Sequence, residues 1–168
     1  MGRRREFERE SVVIEIDIPG RGRLAIENAV FDVNGTLAED GALSADVIGR
    51  LADLASRVNV YLLTADTYGT IKPQVAGLPV ELTVVKPPGE REQKADFVFR
   101  LGLDRTAVFG NGANDLGMFE GAALSVAVVY REGCLSRLMT AADVVVPDPI
   151  AAIDLLLKPK RLVATLRY

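Results

Sequence analysis

Two short segments of this chain hold residue types suited to chemistry at phosphorus. Residues 31 to 37 read FDVNGTL at the end of an apolar run, and residues 110 to 115 read GNGAND at the end of another. Asp32 precedes a tight Asn34-Gly35 turn and Thr36, while a second carboxylate, Asp115, sits in a glycine-rich loop far along the chain. A carboxylate held in a sharp turn beside a cation site can attack phosphorus as a nucleophile. Each piece also has a plainer reading. Asn34-Gly35 is a hairpin turn signal, GNGAND is a loop whose glycines supply positive φ, Thr64 is a structural strand end, and Lys94 is a solvated charge on a helix.

Composition narrows the chemistry. The chain has 168 residues, 49% hydrophobic and 26% charged, with a net charge of −3, which predicts one compact unit over 1–168 with a sizeable core. The net charge argues against a nucleic-acid partner, which would need clustered Lys and Arg. Arg3, Arg4 and Arg5 form the one basic cluster, within a segment, 1–10, expected to be flexible. Histidine and tryptophan are absent, so any catalysis must run on carboxylates, hydroxyls, lysine and backbone amides. The single cysteine, Cys134, rules out an internal disulfide or a cysteine metal cluster and reads as a small buried hydrophobe. No apolar run reaches the roughly 20 residues of a membrane span. A cytoplasmic protein with no membrane partner is expected.

The elements that must position these residues follow from periodicity. Ile14, Ile16 and Ile18 alternate with Glu15 and Asp17, and a Pro19 to Gly22 turn leads to Leu24 to Ile26, predicting a β-hairpin over 12–27. A core over 28–157 follows. Strands are predicted at Asn28 to Val33, Asn59 to Leu63, Val80 to Val85, Thr106 to Phe109, Leu124 to Val129 and Asp143 to Val146. Helices are predicted from Ser44 to about Arg57, around Pro73, over Glu90 to Leu101, near Asp115 to Glu120, over Glu132 to Ala141 and over Ile150 to Leu157. This alternation implies an α/β, three-layer Rossmann-like fold on a mostly parallel sheet. Asp32, Thr64 and the Gly110 to Asp115 loop then fall at carboxyl ends of strands, where such sheets gather function.

Four motifs in order carry a resemblance to the haloacid dehalogenase superfamily of phosphatases and phosphotransferases. Within it the chain is similar to soluble relatives of the phosphorylation domain of P-type ATPases. Asp32, Asn34, Gly35 and Thr36 match the first motif, and Leu62-Leu63-Thr64 with Ala65-Asp66 match the second. Lys94 best matches the third, with Lys72 and Lys86 as weaker candidates, and Gly110 to Asp115 matches the fourth. The resemblance implies a Mg²⁺-dependent hydrolase in which Asp32 forms an aspartyl-phosphate. It also implies metal binding by Asp32, Asn34 (through its carbonyl), Asn111 and Asp115. Thr64 and Lys94 would hold phosphoryl oxygens, with Gly35, Ala65 and Asn114 completing the phosphate cradle.

Two positions depart from the family pattern. Where phosphatases carry an aspartate that protonates the leaving oxygen, this chain has Asn34, and where they carry a metal-binding aspartate it has Asn111. General acid-base help contributes about 10² to 10⁴ in rate. Without it, turnover should be slow and should favour acyl phosphates, phosphoanhydrides and aryl phosphates. The partner expected is a phosphorylated small molecule or a phosphoprotein. The interval from Thr36 to Thr64 leaves no room for a cap domain, and the Leu37 to Leu43 segment is the only local flap. The hairpin and the Lys158 to Tyr168 tail are candidate subunit contacts for a homo-oligomer. The competing class is a regulatory domain that binds Mg²⁺ and phosphate without hydrolysis. A phospho-receiver domain fits less well, since it expects an acidic pair on its first strand and no Gly-Thr after the phosphorylated Asp.

Overall fold

The computed structural model describes residues 12–66 and 69–168. The Arg3 to Arg5 cluster and the expected flexible start lie outside them. The chain opens with an antiparallel hairpin, β1 (Ile14–Ile18) and β2 (Gly22–Ile26). A six-stranded sheet follows, built from β3 (Asn28–Asp32), β4 (Asn59–Thr64), β5 (Val80–Val84), β6 (Thr106–Gly110), β7 (Leu124–Val128) and β8 (Val144–Val146). Its spatial order is β5-β4-β3-β6-β7-β8, and every pairing in it is parallel. The α/β, three-layer arrangement read from the sequence is the one observed.

Helices cover both faces. On one side lie α1 (Ala45–Ala55), α6 (Pro149–Leu157) and α7 (Pro159–Leu166), with the short α2 (Ile71–Gln74) beside them; on the other lie α3 (Glu90–Leu101), α4 (Leu116–Phe119) and α5 (Ser136–Ala141). Central strands buried on both faces read as near-continuous apolar runs, with polar residues only at their ends, because neither side-chain direction reaches water. In β3 and β6 every residue is accordingly buried. Phe31 and Phe109, paired across β3 and β6, stack with ring centroids 4.2 Å apart. The α1 helix shows how sequence sets position. The Ser44 side chain caps it by accepting the Val47 N–H at 3.2 Å, and Val47, Leu51 and Leu54 turn its apolar stripe onto the sheet.

Two expectations need correction, the start of one helix and the burial of Cys134, and the tail adds an element that the sequence reading did not assign. The helix predicted from Glu132 begins only at Ser136. Residues 130–133 instead close a turn in which the Gly133 N–H donates to the Tyr130 carbonyl at 2.9 Å, with Gly133 at φ 82°. The Lys158 to Tyr168 tail is largely helix, because Pro159 occupies the first turn, where its missing N–H is not needed. That helix is used internally: Leu162 is buried, α7 packs on β1, and the Tyr168 N–H donates to the Pro19 carbonyl at 3.1 Å. Hairpin and tail thus pack against each other. Cys134, expected in the core, is half-buried.

No cap domain interrupts the first crossover. Between β3 and β4 lie only the flap and α1. The flap is folded down: the Leu37 and Ala38 N–H groups both donate to the Val33 carbonyl at 2.9 Å, and Leu37, Ala38 and Leu43 are buried. Its tip carries Asp40 in the left-handed region, at φ 51°. Among the described residues no helix is long and apolar enough to cross a membrane.

Candidate active site

The parallel register sets the site. Asp32 ends β3 opposite Leu63 of β4, so Thr64 follows one step further along the adjacent strand. β6, paired to the other side of β3, delivers the 110–115 loop. From one face α3 presents Lys94 to this junction. Lys72 and Lys86 are exposed, whereas Lys94 is 1% exposed.

Lys94 joins the two carboxylates. Its Nζ donates to Asp32 Oδ1 at 2.6 Å and to Asp115 Oδ1 at 2.7 Å, with Asp115 fully buried. The other oxygen of Asp115, Oδ2, accepts the Asn111 and Gly112 N–H groups at 3.0 Å each. Asp115 thus holds Lys94 with one oxygen and folds the loop with the other. Gly110 is required in this packing, since a Cβ there would lie 2.6 Å from the Asp115 carboxyl carbon. Asp32 Oδ2 accepts from the Thr36 hydroxyl at 3.2 Å, and the same hydroxyl lies 3.1 Å from Asn111 Oδ1. Thr36 thus draws the amide oxygen of Asn111 towards the free side of the Asp32 carboxylate.

Thr64 is oriented by its neighbours. Its Oγ1 accepts the Asp66 N–H at 3.0 Å and the Asn34 amide at 3.5 Å, which leaves its own proton available to a ligand oxygen. Ala65 and Asn34 line one side of a cavity of about 360 Å³ whose rim includes Asp40, Asp66 and Glu132. Asn114, the remaining phosphate-site residue of the sequence reading, sits in the 3₁₀ turn Ala113–Asp115 with its Oδ1 over Gly112. Gly35 has φ 79° and lies directly beneath the Asn111 amide and the Glu132 carboxylate, so no side chain fits there.

The electrostatics are those of two carboxylates sharing one cation. Burial, and then the charge of Asp115, push Asp32 up from 3.8 to about 7, against the lowering by Lys94 and the hydrogen bond from Thr36. Burial alone would lower Lys94, but the charges of Asp32 and Asp115 and its hydrogen bonds outweigh it and hold the ammonium above its usual range. In the folded protein Lys94 stays protonated, and Asp32 is a carboxyl poised to ionise near neutrality when a further positive charge approaches.

Sequence reasoning gathered Asp32, Asn34, Thr64, Lys94, Asn111 and Asp115 in one place, and the structure brings all six together. It assigned no task to Thr36 and did not single out Glu132. Thr36 could have been found from its position four residues after Asp32 in the turn. Glu132 comes from a loop that the sequence read as helix, and no local signal marked it.

The strand order without a cap is that of a haloacid dehalogenase-like fold, and comparison with known proteins agrees on the fold. The family model described as haloacid dehalogenase-like hydrolase matches residues 98–147, which includes the 110–115 loop but not Asp32, Thr64 or Lys94. The structure is similar to the cobalt-bound deoxy-D-mannose-octulosonate 8-phosphate phosphatase YrbI of Haemophilus influenzae, with 16% identity, 85% of this chain and 94% of that one covered, and a TM-score of 0.65. It is also similar to the 3-deoxy-D-manno-octulosonate 8-phosphate phosphatase of Yersinia pestis, with 17% identity, 92% and 95% covered, and a TM-score of 0.64. A third likeness is to the Moraxella catarrhalis phosphatase of the same name, in complex with magnesium, phosphate and KDO, with 16% identity, 84% and 94% covered, and a TM-score of 0.59. At these identities the likeness is one of fold. In sequence, 58 residues are 43% identical to an uncharacterized protein of Methanocaldococcus jannaschii, covering 34% of this chain and 62% of that protein. The match thus spans less than two thirds of the relative.

Proposed function

We propose that this chain is a Mg²⁺-dependent phosphatase or phosphotransferase that works through an aspartyl-phosphate on Asp32, slowly and with a preference for good leaving groups. The observation that carries the reading is Lys94 bridging Asp32 and Asp115 at 2.6 and 2.7 Å, beside the oriented hydroxyl of Thr64. A buried ammonium there offsets the repulsion between a carboxylate nucleophile and an anionic phosphoryl donor, and the hydroxyl and ammonium together can hold its non-bridging oxygens.

The donor set suits a hard cation. Asp32 Oδ2 and Asn111 Oδ1 meet at the Thr36 hydroxyl, and the chain, which has no histidine, offers oxygen donors there. Among the described residues no group of three or more Asp, Glu, His or Cys side chains could hold a metal, so affinity for Mg²⁺ alone should be low. Asp32, Asn111 and the carbonyl of Asn34 would hold the ion, with Asp115 supporting them through the loop. Bound there, Mg²⁺ would supply Lewis-acid neutralisation of the transferring phosphoryl group.

The chain's own residues then divide the work. Asp32 attacks phosphorus, the leaving group departs, and water later cleaves the aspartyl-phosphate. Thr64 and Lys94 hold the phosphoryl oxygens through both steps. Asn34 orients Thr64 but cannot move a proton, which is why acyl phosphates, phosphoanhydrides and aryl phosphates suit the site better than alkyl esters. Threonine in P-type ATPases at the position of Asn34, with ADP as leaving group, is consistent with the ATPase likeness. Phosphorylated sugars, as in the names of the structural relatives, are the alternative substrates, and a phosphoprotein remains within the same chemistry. A cytoplasmic setting belongs to this proposal and rests on the single cysteine.

Asn34 and Asn111 also favour a second reading, a regulatory domain that binds Mg²⁺ and phosphate without turnover. Assays of an aryl phosphate, acetyl phosphate and an alkyl phosphate with Mg²⁺ separate the two. The enzyme reading expects turnover of the first two that vanishes in Asp32→Asn, and a gain in Asn34→Asp that is largest for the alkyl ester. No wild-type turnover and no trapped phospho-aspartate would leave the regulatory reading.

A further inference from the structure

The proposed reading leaves the leaving group without an acid, and the structure offers a carboxyl where one is needed. The turn over residues 130–133 is stitched to the 110–115 loop: the Asn111 amide donates to the Gly133 carbonyl at 3.2 Å, and the Leu135 N–H to the Asn111 carbonyl at 2.8 Å. On its outer side the same turn is tied to the flap, where Arg131 lies 3.7 Å from Glu39 and the Tyr130 hydroxyl 3.5 Å from the same carboxylate. Glu132 is held between these two anchors. Its carboxylate folds back over the Asn34-Gly35 turn, so closely that a Cβ on Gly35 would lie 2.6 Å from Oε2. It shares the 360 Å³ cavity with Asn34 and with Ala65, the residue that follows Thr64.

Three carboxylates rim that cavity, and they are not equivalent. Asp66 accepts the Ile71 N–H at 2.9 Å and the Thr70 hydroxyl at 3.4 Å, which commits it to starting α2. Asp40 rides on the flap tip in a left-handed backbone. Glu132 makes no hydrogen bond or ion pair among the described residues and is the one whose carboxylate is placed against the turn carrying Asn34.

We infer that Glu132 acts as the general acid and base that Asn34 cannot be, a further catalytic residue supplied by a different loop; the inference rests on Asp32 acting as nucleophile. In the first step the Asp32 oxygen bonds to phosphorus, the bond from phosphorus to the ester oxygen breaks, and the Glu132 carboxyl gives its proton to that oxygen, releasing an alcohol. In the second, the Glu132 carboxylate takes a proton from water as the water oxygen bonds to phosphorus. The Asp32–phosphorus bond breaks, inorganic phosphate leaves, and Asp32 and Glu132 return to their starting states. Three side-chain torsions let Glu132 follow leaving groups of different shape, at the cost of imprecise placement, so alkyl esters turn over but slowly.

The test is the ratio of kcat/KM for an alkyl phosphate to that for an aryl phosphate, in wild type, Glu132→Gln and Glu132→Gln with Asn34→Asp. Glu132 is exposed, so the amide should fold normally, and a thermal melt checks this. The ratio is expected to fall by about 10² in Glu132→Gln, the low end of general acid-base contributions, and to recover in the double variant. An unchanged ratio in Glu132→Gln overturns the inference, as does a uniform rise on all esters, which would mean Glu132 merely repels anionic substrates. Wild type active on the aryl but not the alkyl ester overturns it while leaving the aspartyl-phosphate reading intact. Wild type inactive on every ester, with no phospho-aspartate formed, overturns both.

Discussion

Replacing Asp32 by asparagine should stabilise the metal-free protein at alkaline pH. The wild-type carboxylate is buried, faces the second carboxylate of Asp115 across one shared ammonium, and has its pKa raised from 3.8 to about 7. Between these values the folded state holds a proton that the unfolded state has released, so stability falls as pH rises from about 4 to about 7 and stays reduced above it. At about 1.4 kcal/mol per pKa unit the cost is on the order of a few kcal/mol. Asparagine resembles the protonated carboxyl in shape, can still accept from Lys94, and carries no such penalty. Asp154, held below its usual range despite burial by hydrogen bonds and charges from Lys158 and Arg50, loses its contribution as pH falls, but equally in both proteins. Urea denaturation in chelator at pH 8, 6 and 4.5 should therefore show Asp32→Asn more stable than wild type by a few kcal/mol at pH 8, with the gain shrinking as pH falls. A variant less stable than wild type at pH 8, or a gain independent of pH, would refute the electrostatic reasoning.

Removing the cation should do the reverse. Lys94→Met leaves Asp32 and Asp115 buried together without their shared cation and should cost about 3–5 kcal/mol at neutral pH, read as a lowered urea midpoint that partly recovers on acidification. Gly35→Ala adds a methyl where φ is 79° and where the Asn111 amide and Glu132 carboxylate already lie. Strain of about 1–3 kcal/mol should appear as a lower Tm, together with loss of aryl phosphate turnover. With few carboxylates available, the cation and a phosphoryl mimic should bind cooperatively. Calorimetry should find Mg²⁺ at least about tenfold tighter with beryllofluoride present, a coupling of about 1.4 kcal/mol; equal affinity with and without it would contradict the donor set proposed.

Much of the site was legible because strand ends are local signals. An apolar run stopping at Asp32 or Thr64 marks the carboxyl edge of a parallel sheet, and the order of the motifs selected Lys94 over Lys72 and Lys86, a choice its burial matches. The fold was legible for the same reason, since period-2 and period-3.6 patterns alternate cleanly. What escaped depends on distant partners. Glu132 lies in a turn that Gly133 closes at φ 82° and that the Asn111 carbonyl holds at Leu135, and the apolar spacing beyond it imitates a longer helix. The tail received no element from its spacing, yet proline can begin a helix, and α7, opened by Pro159, is held by β1 more than 140 residues earlier. The double role of Thr36 exists only once β3 and β6 pair and bring Asn111 within 3.1 Å.

The central claim is that Asp32 takes the phosphoryl group. Rapid quenching of wild type during turnover of acetyl phosphate with Mg²⁺, followed by borohydride reduction and peptide mass spectrometry, reads it directly. The account predicts homoserine at position 32, absent when Mg²⁺ is withheld and absent from Asp32→Asn. Steady turnover with no reduced residue at that position, or with the label on another side chain, would contradict it.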